Sequence, residues 1–157
     1  MYKFDIEIDS IDTIIHARFN KVVDFIMDVK NIAKFAFGRE EEQEFEFISD
    51  TKLRVYNPLV KTTTLCENKL LKKENLAIVE HCVKFEEHNV IWEIFLLIKE
   101  IGKQTHVLFG WYLTPEIKSY MCNAYSWPEF NYKFIKEEVA ARELNTIKTL
   151  LEDNKDA

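Results

Sequence analysis

The stretch FNKVVDFIMDVKNIAKF, residues 19–35, is the most informative part of the chain for the fold. Its apolar residues recur at intervals of three and four, which indicates one short helix followed by a second that ends near Phe35. Asn20 is suited to cap the first helix, and residues 28–31 fit a corner between the two. Gly38 can end the second helix at a positive φ angle. A helical pair therefore interrupts the chain soon after it begins.

The residues before this pair alternate as in a β-strand. Phe4, Ile6 and Ile8 alternate with charged residues, and the alternation changes phase around residues 10–12, before Ile14. A period of two with such a slip predicts one long strand, within residues 2–18, that carries a bulge or a bend.

Six further strands are predicted after the helical pair. Each is a run rich in β-branched and aromatic residues between polar links: EFEFIS, KLRVY, VKTTTLCE, NLAIVEHCVKF, NVIWEIFLLIK and QTHVLFGWYLT. Links this short leave no room for crossover helices, so successive strands are expected to be antiparallel neighbours. The first strand is expected to pair with one end of this meander, which makes a sheet of seven antiparallel strands.

The end of the chain is predicted to be helical. Thr114 and Pro115 form a typical helix start, with a hydroxyl cap and proline at the first helical position. The sequence SWPE, residues 126–129, has the form of a capping box, so a break is predicted there and a long helix over residues 128–152. The apolar stripe of that helix comprises Tyr132, Ile135, Val139, Leu144, Ile147 and Leu151. Residues 153–157 are expected to be a frayed tail.

Length and composition bound the class of protein. A chain of 157 residues with 47% hydrophobic residues is expected to form a single domain, residues 1–152, around one core. The net charge of −6 without a basic run argues against nucleic-acid binding. No apolar run reaches the roughly 18 residues of a membrane span, and no secretory leader is recognised. Widely spaced cysteines and scattered histidines predict reduced thiols, a cytoplasmic location, no metal site and no cofactor.

The order of these elements predicts an α+β architecture in which a curved antiparallel sheet wraps around the last helix. This order resembles the helix-grip fold of the START/SRPBCC superfamily, whose members include polyketide cyclase and coenzyme Q-binding proteins. In the helical pair, the resemblance rests on Val22, Phe25, Ile26, Asp28, Ile32 and Phe35. In AARELNTIKTLLE, residues 140–152, it rests on Leu144, Ile147 and Lys148. The resemblance implies a hydrophobic ligand held between the sheet and the last helix.

Strand alternation indicates which side chains face that groove. His81 falls on the apolar face of NLAIVEHCVKF and is the candidate polar anchor or general base. The candidate ligand-binding residues are His81, Trp92, Trp111, Phe109, Thr64 and Tyr120. Two plainer interpretations stay open: a neighbouring hydroxyl or a water satisfies His81, and the aromatic residues only fill the core. Cys66 shares the predicted inner face, but no base that would activate its thiol is recognised.

Three functions are compatible with this interpretation. The first is that of a small soluble protein that binds a lipid, an isoprenoid or a polyketide-like molecule. The second is a cyclase- or dehydrase-like enzyme in which His81 acts as the acid or base. The third is an interaction protein, such as a chaperone cofactor, acting through apolar residues of the outer sheet face, namely Leu65, Ile91, Phe95 and Leu97. The same residues are candidates for a homodimer contact.

Overall fold

In the computed structural model, residues 5–35, 43–58 and 61–153 are described. A seven-stranded antiparallel sheet has the order β1-β7-β6-β5-β4-β3-β2. Its strands are β1 (Glu7–Ile15), β2 (Glu44–Ser49), β3 (Lys52–Asn57), β4 (Thr62–Lys73), β5 (Leu76–Phe85), β6 (Val90–Ile101) and β7 (Gln104–Leu113). The predicted α+β architecture is confirmed, as is the pairing of the first strand with one end of the meander. Phe4, the helix end at Gly38 and the tail residues 154–157 lie outside the described residues.

Of the bulge or bend predicted in the first strand, the bulge does not occur within β1. The register with β7 runs without a shift from Glu7 opposite Leu113 to Ile15 opposite Thr105. The alternation changes phase because the inward-facing positions of β1 hold Glu7 and Asp9 in its first half, and apolar residues occupy that face only at Ile11 and Ile15. Ile8, by contrast, faces outward and is 63% exposed.

The first two helices, α1 (Phe19–Met27) and α2 (Val29–Phe35), follow β1 as predicted. The predicted N-cap was wrong: α1 begins at Phe19 with Arg18 in the cap position and no side-chain capping bond. The Asn20 side chain instead accepts a hydrogen bond from Lys72 Nζ at 2.6 Å, which ties α1 to β4. Contacts with β4, β5, β6 and β7 show that α1 covers one end of the inner sheet face.

Two helices end the chain: α3 (Pro115–Tyr125) and α4, which comprises α-helical Tyr132–Phe134, π-helical Ile135–Ala141 and α-helical Arg142–Asp153. The cap at Thr114 is confirmed, since its hydroxyl accepts from the Ile117 amide at 3.2 Å. The predicted capping box was wrong. Ser126 has a φ of 56° and ends α3, so α4 begins later than predicted, behind Asn131 as its cap.

The helix α4 lies over the inner face and runs alongside β1. The Tyr132 hydroxyl donates to Glu7 at 2.8 Å, and the Glu152 carboxylate accepts from the His16 amide at 3.3 Å. Its buried residues, Ile135, Ala140, Leu144, Ile147 and Leu151, pack into one core with the inward-facing residues of the sheet. Burial of apolar side chains on both partners stabilises this arrangement by about 25 cal/mol per Å² removed from water.

Candidate functional site

The inner face of the sheet between β4 and β7 forms the floor of the candidate site. In one row across the strands, Asn68, His81, Ile94 and Trp111 lie opposite one another. In the row beside it lie Cys66, Val83 and Trp92. Because directly paired residues share a face, His81 lies diagonally adjacent to Cys66 and two strands from Trp111.

Asn68 fixes the orientation and the tautomer of His81. The Asn68 side-chain amide donates from Nδ2 to the carbonyl oxygens of Ile26 and Met27, at 3.2 Å each, at the end of α1. This leaves Oδ1 to face Nδ1 of His81, at 2.6 Å. Since Oδ1 can only accept, Nδ1 carries the proton, and Nε2 of the neutral imidazole carries a lone pair. Asn68 is only 3% exposed, so this chain of hydrogen bonds is internal.

His81 is therefore an uncharged acceptor inside the protein. Burial lowers its pKa to about 4, so the imidazole stays neutral at physiological pH. Within the described residues, the Asn68 bond is the one hydrogen bond that the His81 side chain makes. His81 is partly buried as a residue, and it borders the space between the sheet and the helices through its bond to Asn68 at the end of α1.

Glu143 is a second titratable residue in this groove, and the sequence analysis missed it. It lies one residue after the start of the last segment of α4, directly beyond the π-helical turn. Burial raises the pKa of its carboxyl well above the usual value, against a smaller opposing effect of Arg142. The carboxyl makes no hydrogen bond to any described residue, and the residue is partly buried. As for His81, burial shifts its pKa in the direction that favours the uncharged form.

The position of Glu143 over β4 follows from its effect on Cys66. The pKa of that thiol is raised to about 12, first by burial and then by the negative charge of Glu143. Cys66 is 0% exposed, which makes it an inert core residue rather than a nucleophile. Glu143 thus lies near Cys66 of β4.

Three of the four predicted aromatic residues lie deep in the core. Trp92, Phe109 and Trp111 are 7%, 2% and 1% exposed, and the Phe109 and Trp111 rings are 6.0 Å apart. The indole nitrogens of both tryptophans are buried and have no hydrogen-bond partner among the described residues. Trp92 lies on the neighbouring strand, one row from His81. Phe109 lies two strands from His81, in the adjacent row on the side opposite to Trp92.

Thr64 and Tyr120 lie at the end of the groove beneath α3. Thr64 pairs with Phe85, whose ring stacks on that of Tyr120 with centroids 4.5 Å apart. Both side chains are half-buried. The structure therefore places His81, Thr64 and the three buried aromatic residues on one face of the sheet, where the aromatic residues belong to the packed core, and adds Tyr120 at its end.

A separate groove of about 500 Å³ lies on the outer face of the same strands. Its floor includes Ile78, Phe95 and Leu97, and three carboxylates, those of Glu67, Glu80 and Glu93, line it together with Lys69, Cys82 and Tyr112. His81 also borders this groove, but its side chain points to the opposite, inner face, where it meets Asn68. The outer groove is thus distinct from the candidate site.

Two classes of feature are absent from the described part of the chain. No group of three or more His, Cys, Asp and Glu residues is arranged to hold a metal ion there. No helix within the same residues is long and apolar enough to cross a membrane.

Comparison with solved structures finds proteins of similar fold. The fold is similar to the Zhui aromatase/cyclase from Streptomyces sp. R1128, with a TM-score of 0.63 at 11% identity and 97% of each chain covered. The chain has the START/SRPBCC helix-grip fold. The predicted resemblance is thereby confirmed at the level of the fold.

Two further helix-grip structures match along most of their length. A START superfamily protein from Mycobacterium smegmatis matches with a TM-score of 0.54 at 9% identity, over 93% of this chain and 97% of that one. Norcoclaurine synthase from Thalictrum flavum, in complex with dopamine and hydroxybenzaldehyde, matches with a TM-score of 0.57 at 13% identity, over 97% and 90%. No protein-family model and no curated protein sequence matches the chain.

Proposed function

We propose that this helix-grip protein binds a small, mainly apolar molecule between the inner face of the sheet and α4, with His81 as its polar anchor. One observation carries the proposal: Asn68 engages Nδ1 of the buried His81 on the apolar inner face, which leaves Nε2 as an acceptor to which no described residue donates. A few placed polar groups in an otherwise apolar cavity are the usual way in which such a cavity orients its ligand. Thr64 and Tyr120 lie at the end of the groove through which the ligand enters.

The shared fold supports this function without defining the ligand. Among the proteins of similar fold, one carries the name aromatase/cyclase, and another holds dopamine and hydroxybenzaldehyde. Both names point to small molecules. A lipid, an isoprenoid or a polyketide-like compound fits the apolar walls of the groove equally well, because those walls act by shape and by exclusion of water.

The test is native mass spectrometry of freshly purified protein, followed by organic extraction, on the wild type and two variants. Thr64→Trp fills the end of the groove, whereas Leu65→Trp adds the same side chain to the outer face one residue away. A co-purifying or added apolar molecule that binds the wild type and Leu65→Trp but not Thr64→Trp supports the proposal. Equal binding to both variants, or none to any of the three with a panel of lipids, isoprenoids and polyketides, contradicts it.

An enzymatic role for His81 is the second candidate, and Glu143 now adds the second titratable group that acid–base chemistry needs. A histidine whose pKa is about 4 is a weak general base near neutral pH, however, because proton transfer is most efficient when the pKa lies near the working pH. Glu143, with its raised pKa, suits the role of proton donor better. Turnover that persists in His81→Ala would exclude the role of His81.

A surface-acting role is the third candidate, and the outer groove is the place where it would occur. The three carboxylates around an apolar floor are complementary to a basic segment of another protein with one or two apolar side chains. Phe95→Ser should abolish such an interaction without affecting the inner groove. Size measurement in solution tests the homodimer, which stays a prediction.

A further inference from the structure

Two neighbouring hairpins form one end of the sheet. One hairpin joins β4 to β5 at residues 69–76, and the other joins β6 to β7 at residues 99–104. The strands β5 and β6 are paired up to this end, and the Glu100 amide donates to the Asn75 carbonyl oxygen at 2.9 Å. The two hairpins therefore lie side by side, and we call these residues the hairpin end.

The hairpin end exposes four large apolar side chains. Leu71 is 70% exposed, and Leu70, Leu76 and Ile101 are each at least 40% exposed. The ladder between β3 and β4 reaches only to Glu67, and within the described residues no strand flanks the rest of β4 on that side. A contiguous group of exposed apolar side chains marks a contact with a partner or a membrane.

The same end is basic, although the chain as a whole is acidic. The hairpin end has a net charge of +3 in a chain whose net charge is −6, because it carries five lysines and two glutamates: Lys69, Lys72, Lys73, Lys99 and Lys103 against Glu74 and Glu100. Lys72 is bound to the Asn20 side chain, whereas the other four lysines form no ion pair with a described residue. Their ammonium groups are therefore available to an anionic partner, next to exposed apolar side chains.

The orientation of the two leucines in β4 distinguishes between kinds of partner. Leu70 lies on the inner side of the strand, in line with Cys66 and Asn68, whereas Leu71 lies on the outer side. A rigid partner packed on one face of the hairpin would cover one of these leucines and leave the other in water. A fluid apolar layer surrounds a hairpin that enters it, so it removes both from water. Lysine stems can lie along such a layer while their ammonium groups stay at its polar surface.

We propose that the hairpin end docks on the surface of an anionic lipid bilayer. The four exposed apolar side chains enter the interfacial region, and the lysines contact the acidic headgroups. The rest of the chain is acidic and is repelled by the same surface, so charge orients the hairpin end toward the bilayer. This inference goes beyond the proposed ligand-binding function, since it uses neither His81 nor any other residue of the candidate site.

The test is co-sedimentation of the protein with two kinds of vesicle. One kind consists of phosphatidylcholine alone, and the other is an equal mixture of phosphatidylcholine and phosphatidylglycerol. We expect binding to the mixed vesicles and little binding to phosphatidylcholine alone. Binding to the mixed vesicles should weaken by about tenfold or more in ~0.5 M NaCl, because salt screens the attraction between lysines and headgroups.

Variants then assign the binding to the hairpin end. Leu71→Ser should weaken binding to the mixed vesicles by about tenfold, because one leucine fewer leaves water. Lys99→Gln should weaken it by about fivefold, the usual effect of one lysine near an anionic surface. Ile8→Ser and Lys133→Gln are the matched controls, since both residues are exposed away from the hairpin end, and both should bind like the wild type. Circular dichroism confirms that each variant is folded.

Several outcomes would overturn the proposal. Absence of binding to the mixed vesicles at low salt excludes bilayer docking, and equal losses in Leu71→Ser and Ile8→Ser exclude the hairpin end as the contact. Equal binding to both kinds of vesicle excludes the role of the lysines. A protein that ignores vesicles but forms a dimer that Leu71→Ser dissociates would show that the hairpin end binds a second copy instead. Each of these results leaves ligand binding in the inner groove untouched, because extraction and Thr64→Trp test that function separately.

Discussion

The inner and outer faces of β4, β5 and β6 carry ionisable residues at alternate positions of the same strands, but the two faces treat them differently. On the outer face, carboxylates line an open groove, and Glu67 pairs with Lys52 at 3.7 Å. On the inner face, burial lowers the pKa of His81 to about 4 and raises that of the Glu143 carboxyl. Neighbouring positions of one strand thus lie in environments of opposite kind, an open surface that solvates charge and an interior that disfavours it.

The largest expected effect comes from breaking the inner hydrogen-bond chain at Asn68. Asn68→Leu leaves two carbonyls at the end of α1 and the Nδ1–H of His81 without partners, so we expect a loss of about 2–4 kcal/mol in the free energy of unfolding. Urea unfolding measures it. Lys69→Leu, the neighbouring exposed residue on the outer face, should change stability by less than about 0.5 kcal/mol. Similar losses in the two variants would remove the contrast.

A smaller effect is expected from the outer face, where the constraint is steric. The Phe95 ring lies over Gly110, and a methyl group at Gly110 would overlap it. Gly110→Ala should therefore force the ring away and lower the free energy of unfolding by about 1–3 kcal/mol. Adding Phe95→Leu to Gly110→Ala should recover part of that loss in the same urea assay. Strict additivity of the two substitutions would show that the ring and Gly110 are not coupled.

The pH dependence of stability should report the buried carboxyl. The pKa of Glu143 is raised above 4.5 in the folded protein, so above that pH the folded state binds more protons than the unfolded state. Stability contributed by this group therefore falls as the pH rises from 4.5 toward the folded pKa. Glu143→Gln removes this slope and should be more stable than the wild type at about pH 8, with the difference shrinking toward pH 4.5.

The contribution of His81 to stability should depend on pH in the opposite direction. Its pKa is lowered from 6.5 to about 4, so the folded state binds fewer protons than the unfolded state between these values, and stability falls as the pH drops through that window. Urea midpoints of the wild type and Glu143→Gln across this range measure both slopes. Glu138→Gln, an exposed change in the same helix, serves as the control. If the urea midpoint of Glu143→Gln changed with pH as that of the wild type does over the whole range, the result would contradict a buried carboxyl with a raised pKa.

The smallest expected effect is a difference in reactivity between two thiols on opposite faces of the sheet. Cys66 is fully buried with a pKa raised to about 12, whereas Cys82 is half-buried at the outer groove. Iodoacetamide at about pH 8 should modify Cys82 slowly and leave Cys66 intact in the folded protein, since the thiolate is the reactive form. Peptide mass mapping follows the two sites. Modification of Cys66 at the rate of Cys82 would mean that the inner face opens readily.

The order of elements could be predicted because each depends on local periodicity. The helical spacing in residues 19–35, the alternation along the strands and the cap at Thr114 all follow from short-range sequence. The errors at Asn20 and at residues 126–129 have a tertiary cause. The Asn20 side chain accepts a hydrogen bond from Lys72 instead of capping a helix. Trp127 packs against the rings of Tyr125, Phe130 and Phe134.

The candidate site could be predicted only in part for the same reason. Alternation placed His81 on the inner face, but its tautomer depends on Asn68, which is held by a helix 41 and 42 residues away in sequence. Continuing the alternation of Thr64 and Cys66 by two residues would have found Asn68. Glu143 lies four residues from both Val139 and Ile147, so it falls within the apolar stripe, and that spacing was the signal for a buried carboxyl.

The state of the His81 imidazole tests the central claim most directly. Nitrogen-15 NMR of histidine-labelled protein, recorded from neutral pH down to about pH 4 and then with the apolar molecule found by extraction, reports which nitrogen carries the proton. We predict a neutral ring protonated on Nδ1 at neutral pH, and an Nε2 signal that shifts when that molecule is added. A ring that carries two protons near pH 6, a proton on Nε2, or an Nε2 signal that the molecule leaves unchanged would contradict His81 as the anchor of an inner binding site.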